Sequence, residues 1–473
     1  MTSTKAKLRL RAGIPNQADA RELTRFSRRA PDTRMLEVII PDINGILRGK
    51  RIPMAEATEL FHDGIKACGS ITLLSSKGET FPELGLGSTD GDPDNMVLPV
   101  RDTLAPVPWL ESKTAQVLVG MTTIAGAPSL YDPRNVLRLA MQPLLDMGLR
   151  VVVATELEFY LLQPSESLTP MPQFPRVPGT GIRQDGLQYS MTEDLWDCDA
   201  FIDDVHRTCA AQNLPSTATH SEFSPGQIEI NLHHVADPIL ACDHAVLLKR
   251  VIKGVARRHG YGATFMAKPF EEHAGSGLHI HISVYDRHGR NVLAAGGRGT
   301  PPLGPGMRHA IGGLAATMAE CMAIFAPNAN SYRRLKPKSF VPLNPDWGYN
   351  HRGVALRIPV SDAKNLRIEH RVAGADANPY LVMAAILMGI HHGLTNRCEP
   401  GPMVQQGTFL EDRKVTLPTR WDAALGLFDR STLLPRYLDR EFCRIFSVCR
   451  HSESNQFHAQ ISNRDYEWYL RAV

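Results

Sequence analysis

The segment Gly277-Leu278-His279-Ile280-His281-Ile282-Ser283-Val284-Tyr285-Asp286 decides how the rest of this chain is read. Leu278, Ile280, Ile282 and Val284 alternate as the apolar face of a buried strand, while His279, His281 and Ser283 fall on the opposite face. Such a strand has core on one side and polar chemistry on the other. Alone, its histidines fit a zinc or copper site, or two structural histidines, equally well. The pattern returns three times. Thr155-Glu156-Leu157-Glu158-Phe159-Tyr160 sets two carboxylates opposite Thr155, Leu157 and Phe159. Gln227-Ile228-Glu229-Ile230-Asn231-Leu232 sets Glu229 opposite three apolar residues, and Leu366-Arg367-Ile368-Glu369-His370-Arg371-Val372 groups Arg367, Glu369 and Arg371 on one face. Four half-polar strands imply one shared polar cleft.

The composition narrows what can occupy that cleft. With 473 residues, 43% of them hydrophobic, the chain can bury a large core. Lys plus Arg number 52 against 49 Asp plus Glu, so the formal charge of +3 offers no broad field for nucleic acid or an anionic membrane. The apolar runs around Tyr380 to Ile390 and Gly312 to Ala326 are shorter than a membrane span, and Glu320 interrupts the second. The eight cysteines form no CxxC pair, as expected of reduced thiols in the cytoplasm. These features point to a cytoplasmic protein with a small-molecule partner, no nucleic acid and no membrane.

Residues 1–31 read as a basic arm or helix, with a charged surface helix over Gln17 to Arg29; no apolar segment follows to make a secretory signal. Residues 32–126 read as a small α+β domain: a strand over Met35 to Ile40, a turn at Asp42-Ile43-Asn44-Gly45, a helix near Met54 to His62, and a strand over Ala115 to Met121. A boundary is expected at Ala125-Gly126-Ala127-Pro128. Asp132 and Pro133 then supply the cap and first residue of a helix opening a larger α+β unit, residues 127–473, which holds all four polar-faced strands. Pro/Gly-rich stretches at Gln163 to Arg183 and Gly296 to Gly306 read as surface insertions.

Glu156, Glu158, Glu222, Glu229, His279 and Glu369 offer five carboxylates and one imidazole from strands that can meet. Oxygen-dominated ligation suits Mg2+ or Mn2+, and so many ligands suit two adjacent cations better than one. The bland alternative, taken residue by residue, is a set of solvent-facing glutamates. Arg334, Arg352, Arg357, Arg367 and Arg371 crowd the region that supplies Glu369, and guanidinium forks match carboxylate or phosphoryl oxygens. Arginines beside a carboxylate cage suggest phosphoryl transfer, although neither a P-loop nor a kinase Gly-rich loop is present.

Five motifs, taken in order, resemble the glutamine synthetase family: Thr155 to Phe159, Glu222-Phe223-Ser224-Pro225-Gly226-Gln227-Ile228-Glu229, Gly275 to Ser283, Asn330-Ser331-Tyr332-Arg333-Arg334, and Arg367 to Arg371. The resemblance implies an N-terminal β-grasp domain followed by a glutamine synthetase-type catalytic α+β domain. It implies that Glu158, Glu222 and Glu229 hold one metal and Glu156, His279 and Glu369 another. By the same resemblance Gly275, Arg334 and Arg371 hold glutamate, while His281, Ser283, Arg357 and Arg367 lie on the ATP side. Arg352 would meet the transferring phosphoryl group. Asp42 would reach a neighbouring subunit's site to bind the amine and take its proton. The implied assembly is a homo-oligomeric ring, a dodecamer with active sites between neighbouring subunits.

The second substrate is where the sequence departs from ammonium-using members. Those carry a Glu six residues after the arginine of the Asn-Ser-Tyr motif, on a flap guarding the amine site; this chain has Phe340 there, and Ala274 where an Asn commonly precedes Gly-Ser-Gly. Replacing an anion by a ring removes a ligand for ammonium and offers apolar contact to an alkyl chain. The stretches Asp42 to Pro53, Gly91-Asp92-Pro93-Asp94, Trp347-Gly348 and Ile461 to Leu470 resemble the γ-glutamylpolyamine synthetase branch, of glutamate–putrescine ligase type. The expected reaction is therefore ATP-dependent ligation of glutamate to an organic amine, either a polyamine or a small monoamine. Ammonium-using glutamine synthesis is the alternative. A catalytically silent structural or sensing relative would show eroded ligands, and none of the six is missing.

Overall fold

The computed structural model describes residues 17–164, 171–185, 189–295, 303–407 and 413–473; the first part of the basic arm and parts of both Pro/Gly-rich stretches lie outside the described residues. The chain forms two compact units, one reaching to Val136 and including Arg207–Leu214, the other made of Leu137–His206 and Pro215–Val473.

In the first unit, helix α1 (Ala20–Arg29) starts where the Asp19 carboxylate accepts the backbone N–H groups of Arg21 and Glu22, satisfying donors a helix start leaves orphaned. Strands β1 (Met35–Pro41) and β2 (Leu47–Pro53) form a hairpin whose turn needs Gly45 at φ +76°. The expected helix near Met54 to His62 divides into a 3-10 turn and α2 (Ala57–His62). Strands β3 (Ile65–Cys68), β4 (Asp94–Pro99), β5 (Ala105–Pro106) and β6 (Thr114–Thr122) complete a sheet of order β2-β1-β6-β4-β3, with β5 beside β6. Strands β1 and β6 run parallel in the middle. Their inward residues Leu36, Val38, Ile40, Val117 and Val119 pack with Phe26 of α1 and with Leu60 and Phe61 of α2. A mixed sheet with helices packed on its core is consistent with the expected β-grasp.

Helix α3 (Pro133–Asp146) begins where the Asp132 carboxylate accepts the Arg134 N–H at 2.9 Å. The second unit is built on an eight-stranded sheet: β7 (Arg150–Leu162), β8 (Ser216–Ser221), β9 (Gln227–Leu232), β10 (Gly262–Thr264), β11 (Leu278–Tyr285), β12 (Trp347–Tyr349), β13 (Leu356–Ile358) and β14 (Ile368–His370). Its order is β12-β13-β14-β11-β7-β9-β8, with β10 also beside β7. The fourth polar-faced strand is shorter than the sequence suggests. Its flank leaves the ladder at Leu366, whose carbonyl accepts from the side chains of Ser283 and Asn291 instead.

Helix α4 (Pro238–Arg258) packs on β7 and β10. The two apolar runs read in the sequence fall on α5 (Pro305–Thr317) and the segment after it, and on α7 (Pro379–Asn396), separated in the chain by the short α6 (Ala329–Arg334). Helices α5 and α7 touch backbone to backbone: a Cβ on Gly313 would lie 2.2 Å from the Gly389 carbonyl oxygen, and one on Gly393 2.1 Å from that of His309. Only glycine permits that approach. Among the described residues no helix is long and apolar enough to cross a membrane, and no two cysteines are joined.

Candidate active site

Strand register brings the polar residues together. Strand β7 lies between β11 and β9, so Glu156 sits directly opposite His279, and Glu158 directly opposite Glu229. On the far side of β11, His281 sits opposite Glu369 of β14. Each is a nearest cross-strand neighbour on the pleated surface. Glu222 enters from the turn between β8 and β9, where its N–H donates to the Gln227 carbonyl.

Three groups emerge in which ligand-type atoms all lie within 4.8 Å of one another: Glu158, Glu222 and Glu229; Glu156, Glu229 and His279; Glu156, His281 and Glu369. The first is the triad expected for one cation. In the second place Glu156 bridges two groups, one with His279 and one with Glu369, and His281 joins the latter through a 2.8 Å contact with Glu156. The electrostatics fit a cation. Burial, reinforced by Glu158, pushes the Glu222 carboxyl up to about 8, and burial with Glu156, Glu158 and Glu222 pushes Glu229 up to about 9. Buried carboxylates this close cannot all hold charge unless positive charge is added. Glu156 is the counter-case: burial raises it, but hydrogen bonds and charge from His279 and His281 outweigh burial and hold it well below the usual carboxylate range. Oxygen-rich donors with one or two imidazoles, and no thiolate, suit Mg2+ or Mn2+.

Glu369 is held differently. Arg357 Nη1 approaches it at 2.6 Å and Arg371 pairs with its other oxygen. Burial raises its carboxyl, but Arg371, His281 and His279 carry it down to about 2. Arg371 is itself buried, and Glu369 overcomes that burial to raise its pKa. Arg334, 5% exposed, donates to the Val372 carbonyl at 2.9 Å and lies against Gly275, where a Cβ would meet the Ala267 oxygen and Arg334 Cγ at 2.7 Å. Its Nε has no partner among the described residues, nor has that of Arg371. Two buried guanidinium N–H groups without acceptors mark a place for an anion.

Among the residues expected on the nucleotide side, Arg367 Nε donates to His281 Nδ1 at 3.3 Å and Arg357 reaches Asn350 at 3.4 Å. The Ser283 hydroxyl is committed to the Leu366 carbonyl at 3.0 Å. Arg352 is exposed, and its charge acts on Glu222 and on the Tyr189 hydroxyl. Asp42 lies in the first unit. It is fully buried, accepting from the N–H groups of Asn44 and Ile46 and from Arg48 Nε at 2.8 to 2.9 Å. Phe340 is 75% exposed at φ +54° and stacks on Phe223, 5.2 Å between ring centroids.

Sequence reading missed three contributors. His220 contacts Glu222 through Nδ1 at 3.2 Å, and Tyr189 and Phe223 extend the Phe340 stack. The placing of His220 and Glu222 two residues apart was a visible signal. The ring stack had none, because its members come from three separate segments.

This is the architecture and donor set of a metal-dependent, ATP-using ligase. The family described as glutamine synthetase, catalytic domain, matches residues 130–469, and the chain belongs to the glutamine synthetase family. It is 41% identical over 455 residues to γ-glutamylputrescine synthetase PuuA of Escherichia coli (strain K12), covering 96% of this chain and 95% of that one. It is 33% identical to a glutamate–isopropylamine ligase of Pseudomonas sp, over 91% of this chain and 94% of that one. The solved GmaS/ADP complex shares the fold with a TM-score of 0.81 at 23% identity, over 95% of this chain and 99% of that one.

Proposed function

We propose that this chain joins the γ-carboxylate of glutamate to an organic amine at the expense of ATP. The observation that carries this reading is the aromatic ring at Phe340, stacked on Phe223 beside Glu222, where ammonium-using relatives have a carboxylate on the flap. The relatives named above for putrescine and isopropylamine support the same class of reaction.

In the first step a γ-carboxylate oxygen attacks the γ-phosphorus of ATP, the bond to the β-phosphate oxygen breaks, and ADP leaves. In the second the amine nitrogen attacks the acyl carbon of γ-glutamyl phosphate, the carbon–oxygen bond breaks, and phosphate leaves as the nitrogen gives up a proton. Arg334 and Arg371, with Gly275 allowing close approach, hold the glutamate carboxylates. Arg352 meets the transferring phosphoryl group, and Arg357, Arg367, His281 and Ser283 line the nucleotide side. Glu158, Glu222 and Glu229 would hold one divalent cation, and Glu156, His279 and Glu369 a second. Bound there, Mg2+ or Mn2+ supplies charge neutralisation for phosphate oxygens. Asp42, acting in a neighbouring subunit's site, takes the amine's proton: an alkylammonium near pKa 10.4, about that of Lys, must lose one before it attacks. The family supports a homo-oligomeric ring, a dodecamer in this reading, and the unjoined cysteines support a cytoplasmic setting.

Phosphate release with ATP, Mg2+ and glutamate across ammonium, putrescine, spermidine, ethanolamine and isopropylamine tests the assignment. Turnover should be higher with at least one carbon amine than with ammonium. Equal or better turnover with ammonium makes the chain a glutamine synthetase, and no release with any amine makes it a silent relative.

A further inference from the structure

Trp347-Gly348, one of the motifs that resemble the γ-glutamylpolyamine synthetase branch, takes no part in the proposed chemistry. The two residues open β12, which ends the order of the eight-stranded sheet and runs parallel to β13. Residues 350–355 join the two strands, and this loop carries Arg352.

Only the backbone holds Arg352 in place. It is exposed and its guanidinium makes no hydrogen bond or ion pair among the described residues, although its charge reaches Glu222 and His220. Within the loop, Asn350 takes φ +49° and its N–H donates to the Ile358 carbonyl at 2.8 Å, while the Gly353 N–H donates to His351 Nδ1 at 3.1 Å. The far end is tied to the sheet, where the Ala355 carbonyl accepts from the Arg371 N–H at 3.0 Å. The near end depends on β12, and a strand this short gains little from its own ladder.

What holds β12 comes from far along the chain. Successive carbonyls of a strand point to opposite sides. That of Asp346 accepts from the Leu356 N–H of β13 at 3.0 Å, and that of Trp347 accepts from the Val404 N–H at 2.9 Å. The Trp347 indole, 5% exposed, donates through Nε1 to the Gly401 carbonyl at 2.8 Å. A buried indole N–H needs such an acceptor. Gly348 makes room for the contact, since a Cβ there would lie 3.0 Å from His351 Cβ and 3.2 Å from the Val404 carbonyl oxygen. Farther on, Arg413 pairs with Asp346 at 2.6 Å, and the Thr416 N–H and hydroxyl donate to Asn344 Oδ1 at 3.0 and 2.8 Å.

We infer that Trp347 is a positioning residue for phosphoryl transfer: docked on Gly401 and Val404, it fixes β12 and, through it, the loop that places Arg352. This role rests on the reading that Arg352 meets the transferring phosphoryl group. Misplacing a charge that acts on the reacting group lowers kcat more than it raises KM.

The test is steady-state phosphate release, with the amine wild type uses best, in wild type, W347F, R352Q and W347F/R352Q. Hydrogen exchange of peptides covering residues 348–356 and β11 accompanies it. W347F keeps a ring and loses the N–H, so kcat should fall about fivefold while KM for ATP and for glutamate changes by less than about twofold. In the R352Q background the same substitution should change kcat by less than about twofold, because the group it positions is gone. Amide exchange in residues 348–356 should quicken about tenfold in W347F and stay as in wild type in β11. Wild-type kcat in W347F, equal falls in both backgrounds, or exchange that quickens in β11 too overturns the positioning role and leaves the reading of Arg352 standing. R352Q with wild-type kcat overturns the reading of Arg352 and the role with it, as does a wild type that releases no phosphate with any amine. If R352Q alone releases none, the exchange result decides: local quickening upholds the role, and unchanged or general exchange overturns it.

Discussion

Asp42 shows what a single residue contributes and what it costs. Burial raises its carboxyl from 3.8 to about 6, against the pull of Arg48 and two backbone N–H groups. A group whose folded pKa lies above its unfolded one stabilises the fold below the unfolded value and loses that contribution as pH rises through the folded value. Here the window runs from about pH 4 to about pH 6, and holding Asp42 ionised at pH 7 costs about 3 kcal/mol. D42N removes the titration while keeping an oxygen acceptor for the turn. Wild type should therefore lose stability relative to D42N between pH 4 and pH 7, by an amount of that order, in urea melts at each pH. A difference independent of pH would show that Asp42 does not titrate in that window. At this scale much was legible. Glu156, Glu158, Glu229, His279 and Glu369 could be read from alternation alone, because a strand's period of two fixes the face of each side chain. Phe340 was reached only through the resemblance, which implies a flap position six residues after Arg334. Tyr189 could not be read at all, since 34 residues separate it from Phe223 and nothing in either segment announces the other.

At the scale of elements, strand register turns separate faces into one site, and a buried polar scaffold holds the side proposed to take glutamate. Lys249 of α4 donates to the Ala375 and Ala377 carbonyls at 2.5 and 3.3 Å. Between them the Asp376 carboxylate accepts from Asn328 and Ser331 at 2.8 and 2.7 Å, and these residues cap α6, which carries Arg334. Burial, helped by Lys253, lowers Lys249 to about 7, so the helix tolerates a strained cation in order to fix this loop. K249M keeps the volume and removes both hydrogen bonds, worth about 1 kcal/mol each. The KM for glutamate should rise about tenfold, with a smaller change in the KM for ATP, in steady-state phosphate release. Equal rises for both substrates would mean general loosening rather than loss of Arg334 placement. None of this scaffold was visible in the sequence, where Lys249 reads as one more helix lysine. Its burial depends on α4 crossing the loop before α7, a tertiary event without a local signal. The strand boundaries show the same limit: β14 is shorter than its alternation because side chains of β11 and the following loop take the Leu366 carbonyl.

For the whole molecule, the α+β fold class was legible because hydrophobic periodicity and capping residues are local, whereas the division into units is not local: the first reaches to Val136 rather than ending at the expected boundary near 126. Residues 207–214 fold with the N-terminal unit although they lie far along the chain, joined to it by contacts such as Gln212 with Gln116 and with the Pro106 carbonyl. The second unit contains a destabilising cluster of crowded carboxylates, relieved either by uptake of protons or by a bound cation. Glu222 and Glu229, pushed up by burial and by neighbouring carboxylates, lie against Glu158 at the heart of the sheet. A cation that binds this arrangement, and not the unfolded chain, raises stability by mass action, about 2.7 kcal/mol at a hundredfold excess over its Kd. In a chain of this size that corresponds to a rise in Tm of a few degrees. Scanning calorimetry on chelator-treated protein should show that rise on adding Mg2+ or Mn2+, and an equal melting temperature in both conditions would show that no cation is held. The E222Q/E229Q pair separates crowding from fold damage. Neutral amides remove the cost of charging or protonating these crowded carboxylates, so the chelated variant should melt higher than chelated wild type while gaining little from added cation. A variant that melts lower and still responds fully would place the cation elsewhere.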